Sequence, residues 1–325
     1  MEEIKQAVSW NKGQMALKLG YLKIINGTFK TDKGENRQPF DHFDGKHILF
    51  SDINGEWSNA RFTGDTIFAK MRLTAKERSG LEVKSLAADV KMTPRGMAFS
   101  NMELLTNRSN IRNYFSMSYD DMDDLGNYLH KVKMAAVFSD SYVDSDDIAF
   151  FAPALGTWKK KISLQGKVRG TVDDMVGKDM LVQAGNGTLL NGDISMTGLP
   201  DINQTFIDFK ANDFRTTYGD AVTIFPVISR VSSPDLRKIQ YVNFKGNFTG
   251  FIRDFVTFGT IRTNLGTVIS DLNMKLPRGQ EPVYSGNIAT DNFRLGEFLA
   301  DKTIGDVSLS VAIKGRGFNE NSRNT

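Results

Sequence analysis

Side chains able to do chemistry are sparse in this chain. Three histidines are present. His42 and His47 lie in a Gly- and Asp-containing stretch, and His130 stands alone. A zinc protease needs two imidazoles one helical turn apart with a glutamate between them; "HFDGKH" (42–47) has neither that spacing nor that helix. The histidines therefore read as turn residues in solvent. Two acidic clusters, "DDMDD" (120–124) and "DSYVDSDD" (140–147), lack the glycine and closing glutamate of a calcium loop. They read as a polar turn and the charged start of a helix. Cysteine is absent, which removes disulfides and thiolate metal sites and leaves the compartment open. No phosphate-binding loop, nucleophile elbow or dinucleotide fingerprint is found. The sequence thus leads us to expect no catalytic residues, no metal and no cofactor.

Glycine is the residue with unusual placement. In "QGKVRGTVDDM" (165–175) and "KGNFTGFIRDF" (245–255), Gly166 answers Gly246, Gly170 answers Gly250 and Asp174 answers Asp254. "KGRGF" (314–318) brings Gly315 and Gly317. These glycines share parity with the apolar residues. Glycine inside a strand marks a bulge or a close approach, and we expect it to let a sheet curl toward its apolar face.

The elements that carry these glycines are strands. Ile162, Leu164 and Val168 alternate with Lys161, Lys167 and Arg169. Val242, Phe244, Phe248 and Ile252 alternate with Asn243 and Lys245; Val268, Leu272 and Met274 follow; Val307, Leu309, Val311 and Ile313 alternate with Ser308, Ser310 and Lys314. A period of two predicts strands with one apolar and one wet face. The first half reads likewise at Ile67–Leu73, Leu86–Met92 and Ile111–Tyr119, with a phase shift after Tyr21 that suggests a bulge. Helices are predicted at 147–155, 218–227, 233–239 (Ser233 as cap, Pro234 first) and 294–302.

The chain has 325 residues, of which 40% are hydrophobic and 24% charged, with 29 Gly, 23 Phe and only 8 Pro. This excludes disorder and favours strands with sharp turns. Net charge is +3 and pI about 8.8. The densest basic run, Lys159–Lys161, continues as the outward side of a strand, so no nucleic-acid partner is expected. No run reaches the roughly 18 apolar residues of a membrane-spanning helix. Met1 leads straight into "EEIKQAVSWNKG" without a signal peptide, and "GRGFNENSRNT" stops as a strand begins. The expectation is an internal piece of a longer protein.

"FKANDFRT" (209–216) is answered by "IATDNFRL" (288–295). A unit of roughly 70–80 residues, several strands and then a helix, recurs, which predicts stacking into an elongated body. The expected divisions are 1–157, 158–236 and 237–303 as lengths of one repetitive antiparallel sheet, and 304–325 as the start of another.

"KERSGLEVKSLAADVKM" (76–92), "LLTNRSNI" (104–111), "TGLPDI" (197–202) and "YSGNIATDNFRLGEFLADKTIGDVSLSVAIKGRGF" (284–318) resemble the TamB and AsmA-like envelope proteins of Gram-negative bacteria. The resemblance runs through most of the chain and rests on order and spacing. It implies a mainly β fold: an elongated antiparallel sheet curled into an open apolar trough, with a few short helices. It also implies a periplasmic protein held in the inner membrane by a helix outside this chain. Phospholipid acyl chains would be the cargo and an Omp85-family outer-membrane barrel a partner. The leading expectation is a non-enzymatic lipid conduit, lined by the fourteen apolar residues from Ile162 to Ile313 named above. The alternatives are a scaffold holding nascent outer-membrane strands at a sheet edge, and an extracellular β-solenoid adhesin. An adhesin needs exposed aromatic platforms, and Trp10, Trp57 and Trp158 are scattered near turns.

Overall fold

The computed structural model describes residues 9–11, 15–32, 37–224, 228–229 and 234–317, without the side chains of Ala154 and Ile224. The fold is mainly β. Sixteen strands form one open sheet in which hydrogen-bonded neighbours follow chain order from first to last. The chain divides into two compact units, Met1–Met175 and Val176–Thr325.

Unit 1 holds β1 (Ala16–Asp32), β2 (His47–Thr63), β3 (Thr66–Glu77), β4 (Glu82–Thr93), β5 (Gly96–Leu105), β6 (Asn110–Ser118), β7 (Lys133–Asp144) and β8 (Lys161–Gly170). Each adjacent pair is antiparallel. Between β6 and β7 a 3-10 turn, Met122–Asn127, runs into α1 (Tyr128–Lys131); after β7 come α2 (Ser145–Ile148) and a 3-10 turn, Pro153–Thr157. The single helix expected at 147–155 is thus two short pieces. Pro153 takes the first position of the second piece, and Ala152 before it is outside the helical region, at φ −135° and ψ 84°. A residue preceding proline is pushed out of helical conformation, and proline has no N–H to continue the ladder. The core of this unit is Ala88, Val90 and Met102, with Met71, Leu86, Phe99 and Phe115 packed against them.

Unit 2 takes in β9 (Asp174–Ala184) from its third residue, then β10 (Thr188–Thr197), β11 (Phe206–Thr217), α3 (Tyr218–Ile224), β12 (Tyr241–Phe251), β13 (Asp254–Thr263), β14 (Gly266–Lys275), β15 (Val283–Phe293), α4 (Leu295–Leu299) and β16 (Val307–Arg316). Pairings from β10 to β16 are antiparallel. Phe209, Ala211 and Phe244 form its core, packed by Leu190, Ile194, Phe214 and Phe248. Thr217 Oγ1 accepts from the Asp220 N–H (3.2 Å), as a cap for α3. The expected cap Ser233 lies outside the described residues; Asp235 caps the 3-10 turn Leu236–Lys238 instead.

In chain order a short helix follows β7, β11 and β15. Between them lie sets of four strands, the spacing at which the glycine-bearing strands β8, β12 and β16 recur.

Candidate apolar groove

The face of unit 2 is built by register. Leu190, Phe214, Phe244, Ile261 and Val268 stand opposite one another across β10 to β14. Ile194, Phe209, Phe248, Thr257 and Leu272 make a second row, continued by Gly286 and Ile313 on β15 and β16. A third row, Met196, Ile207, Gly250, Phe255, Met274 and Tyr284, completes the face. The sequence-predicted residues Val242, Phe244, Phe248, Val268, Leu272, Met274, Val307, Leu309, Val311 and Ile313 all fall on this face. Most are half-buried; Phe244 is buried, and Val311, on β16, the last of the described strands, is 41% exposed. All described strands belong to one sheet, so no second sheet covers these side chains.

Ile252 is a correction. It sits in the two-residue turn closed by Phe251 and Asp254, not on the strand. Alternation carries on past the end of β12, but the antiparallel return to β13 has begun.

Between the first two rows runs a line of small residues: Gly192, Ala211, Gly246, Gly259 and Ser270, each opposite the next. A Cβ on Gly246 would stand 2.1 Å from the Phe258 carbonyl oxygen, and one on Gly259 would stand 2.3 Å from that of Lys245. Both glycines have φ +156°. The two backbones approach so closely that only glycine fits. Gly170 and Gly250 meet the Asp174 and Asp254 carbonyl oxygens in the same way, at 2.0 and 2.4 Å from where a Cβ would stand, and Gly315 adds a variant: the Tyr284 ring occupies the space its side chain would take.

In unit 1, Ile162, Leu164 and Val168 stand on the face of β8 opposite Val143, Ser141 and Ala136. Val168 ends a row formed by Ala69, Val90, Phe99, Phe115 and Ala136. Trp57, expected near a turn, lies mid-strand in β2 opposite Met71, with its ring filling the space beside Gly55.

On the other face Lys161, Lys167, Arg169, Lys245 and Lys314 are exposed as predicted, and Lys161 lies over the Tyr142 ring. Asn243 is half-buried there, flanked by Arg215 and Arg262. Val256, Phe258 and Ile269 also point this way, 44%, 58% and 53% exposed. Sequence reasoning missed them because each interrupts an otherwise polar series.

The strand ends are tied by a device that sequence reasoning also missed. The carboxylate of Asp147 in α2 accepts from Thr106 Oγ1 (2.5 Å), Ser109 Oγ (2.6 Å) and the Arg108 N–H (3.0 Å), all in the β5–β6 turn. Asp220 in α3 takes the Gly187 N–H (2.8 Å) of the β9–β10 turn. After β15 the acid is replaced: the Arg294 N–H donates to the Leu265 carbonyl (2.9 Å) and its guanidinium to that of Asn264. The readable signal is a carboxylate three residues past the strand end, in "SDD" and "YGD".

The acidic clusters serve as caps and ion-pair partners. Asp121 caps the 3-10 turn, and Lys131 together with the Asp120 and Asp121 amides holds the Asp124 carboxyl below its ordinary range. His130 is exposed and paired with Asp173 at 2.6 Å; a hydrogen bond from Thr171, then one from His130, lowers the Asp173 carboxyl. His47 is buried against Asp32 rather than in solvent, a correction that follows from its place as the first residue of β2. Among the described residues no group of three or more His, Asp or Glu is placed to hold a metal, and no helix is long and apolar enough to cross a membrane. The chain matches no family model, no curated protein and no solved structure.

Proposed function

We propose that this chain is a length of a non-enzymatic lipid conduit, in which the sheet curls into an open trough and acyl chains lie on the apolar face. The observation that carries the reading is that rows of half-buried Phe, Leu, Ile and Val continue from strand to strand with no second sheet over them. A one-faced sheet needs a cover, and each methylene it takes from water contributes about 0.8 kcal/mol. Phospholipid is the cargo that the resemblance to TamB and AsmA-like proteins suggests. On the same resemblance, the proposed setting is the periplasm, with attachment to the inner membrane through a segment outside this chain and an Omp85-family barrel as partner. The test is site-specific photo-crosslinking from Phe248 and Leu272 against Lys245, with lipid extraction and mass spectrometry of the purified chain. Inward positions should capture lipid and Lys245 should not; equal capture at all three, or a lipid-free chain, refutes the conduit.

A second reading is supported by β1, which among the described strands pairs only with β2 and leaves Leu17, Leu19, Tyr21, Leu22, Ile25 and Phe29 between 42% and 67% exposed. An edge with free N–H and C=O groups templates a further strand. As a scaffold for nascent outer-membrane strands, it would bind such peptides through β1. Ile25→Pro should then abolish capture while lipid crosslinking at Leu272 persists.

A further inference from the structure

Met92, Met97, Met117 and Met134 stand directly opposite one another across β4, β5, β6 and β7. Opposed residues of antiparallel strands share a face, so the four thioethers form one row on the apolar side. All four are half-buried. Ile67 flanks the row at one end, and Gly170, with no side chain, stands beside Met134 at the other. Neighbouring strands lie about 4.8 Å apart, and the three rotatable bonds of methionine let adjacent sulfurs converge. The Tyr128 hydroxyl donates to Met134 Sδ at 2.8 Å, which orients one sulfur of the set.

The donor chemistry is specific. The chain has 13 methionines and no cysteine, so thioethers are its only soft donors. The row holds no carboxylate or imidazole. A hard divalent cation would meet neutral ligands in an apolar setting and keep its water. A soft monovalent cation suits thioether donors and needs no opposing charge. We propose that this row is a binding site for a soft monovalent cation, copper(I) or silver(I), held by three adjacent thioethers centred on Met117.

The full chain titrated with silver nitrate should saturate at one ion, with methyl proton–carbon shifts confined to Met92, Met97, Met117 and Met134. Copper(I) presented against a competing chromogenic chelator should be taken up with the same stoichiometry. Met97→Leu/Met117→Leu keeps side-chain volume, should retain the β circular dichroism, and should bind at least tenfold more weakly. Met71→Leu/Met102→Leu, outside the row, should bind like the parent. No uptake of either ion, shifts spread over other methionines, or unchanged affinity in Met97→Leu/Met117→Leu overturns the proposal.

Discussion

In β5 the pleat is broken at Asn101, held at φ +50°; in β12 it is broken at Gly246, held at φ +156°. At Asn101 the register against β6 slips between Phe99 and Met102. At Gly246 the register with β13 runs unbroken from Val242 to Phe251. The contrast holds more widely. Every described pairing in unit 1 carries a register shift, and Asn26, Asp52, Asn59, Asn113 and Asp140 also have positive φ. In unit 2 the pairings β12–β13, β13–β14 and β14–β15 carry none. A bulge adds a residue and flips the parity beyond it; a close-packed glycine lets two backbones meet and keeps parity. Most breaks in unit 1 take a short polar residue; unit 2 shifts at β10–β11, β11–β12 and β15–β16, the last beside Asn292 at φ +49°, and keeps register across β12 to β15, where Gly246, Gly259 and Gly286 meet backbone at a distance no Cβ allows.

The sharpest way to break this comparison is Gly246→Val. The new Cβ would fall 2.1 Å from the Phe258 carbonyl oxygen, with Gly259 Cα at 2.6 Å. Neither is a flexible side chain, and the φ is hostile to a β-branched residue. Destabilisation should reach about 3 kcal/mol or more, with hydrogen exchange rising first in β12 and β13. A urea midpoint within about 1 kcal/mol of the parent would show that the glycine line is not a packing constraint.

Next comes the difference between the two clamps. Asp147→Ala strands the buried hydroxyls of Thr106 and Ser109, which are 7% and 1% exposed. Each orphaned buried group costs about 1–3 kcal/mol, so a loss of roughly 2–3 kcal/mol is expected. Asp220 takes the Gly187 N–H and, at 3.4 Å, the hydroxyl of Thr188, which is half-buried where Thr106 and Ser109 are buried. Asp220→Ala should cost about half as much. Equal losses from the two variants, by chemical denaturation, would mean that the turns are held by something else.

The same contrast governs what could be read from sequence. The faces of β12, β14 and β16 were legible because parity survives across Gly246 and Gly250. The bulge expected after Tyr21 is displaced: register with β2 runs unbroken through Ile24 and shifts between Ile24 and Gly27, where Asn26 sits at φ +54°. An Asn or Asp inside an alternating series, as in "SNME" (100–103) and "SDSY" (139–142), was the unread signal for a bulge. The methionine row was hidden for another reason. Its members lie in four separate strands, and only register brings them together. The clamps were hidden likewise, since each joins a helix to a turn well upstream in the chain.

Acid should loosen unit 1 at a defined place. The Arg37 guanidinium (2.7 and 3.1 Å) and the Lys46 and Phe40 amides hold the Asp44 carboxyl well below its ordinary range, against the opposing effect of burial. A depressed folded pKa stabilises above the unfolded value of about 3.9 and loses that contribution as pH falls beneath it. Exchange at the Phe43 amide, bonded to the Phe150 carbonyl at 2.8 Å, should therefore quicken below about pH 4 relative to the intrinsic rate. Asp44→Asn should exchange faster at neutral pH and remove this acid step. The Asn264–Leu265 turn of unit 2, held by Arg294, should show no such step; if both regions loosen together, Asp44 is not the cause.

The smallest effect is the most telling about bulges. Asn101 pays for its left-handed backbone by a side chain that donates to Asp89 Oδ2 at 2.7 Å. The contact is exposed, so its loss should cost only a few tenths of a kcal/mol to about 1 kcal/mol. Asn101→Gly relieves the steric strain while giving up that bond and some chain entropy. The terms oppose, and the net change should stay within about 0.5 kcal/mol. Asn101→Ala gives up the same bond and keeps the strain, about 1–2 kcal/mol for a residue with a Cβ in this region. The predicted order in urea melts is parent and Asn101→Gly nearly superimposed, with Asn101→Ala lower by about 1 kcal/mol. If alanine were as stable as glycine, the positive φ would not be what position 101 demands, and the contrast between the polar bulge of β5 and the close-packed glycine of β12 would fail at its best-defined example.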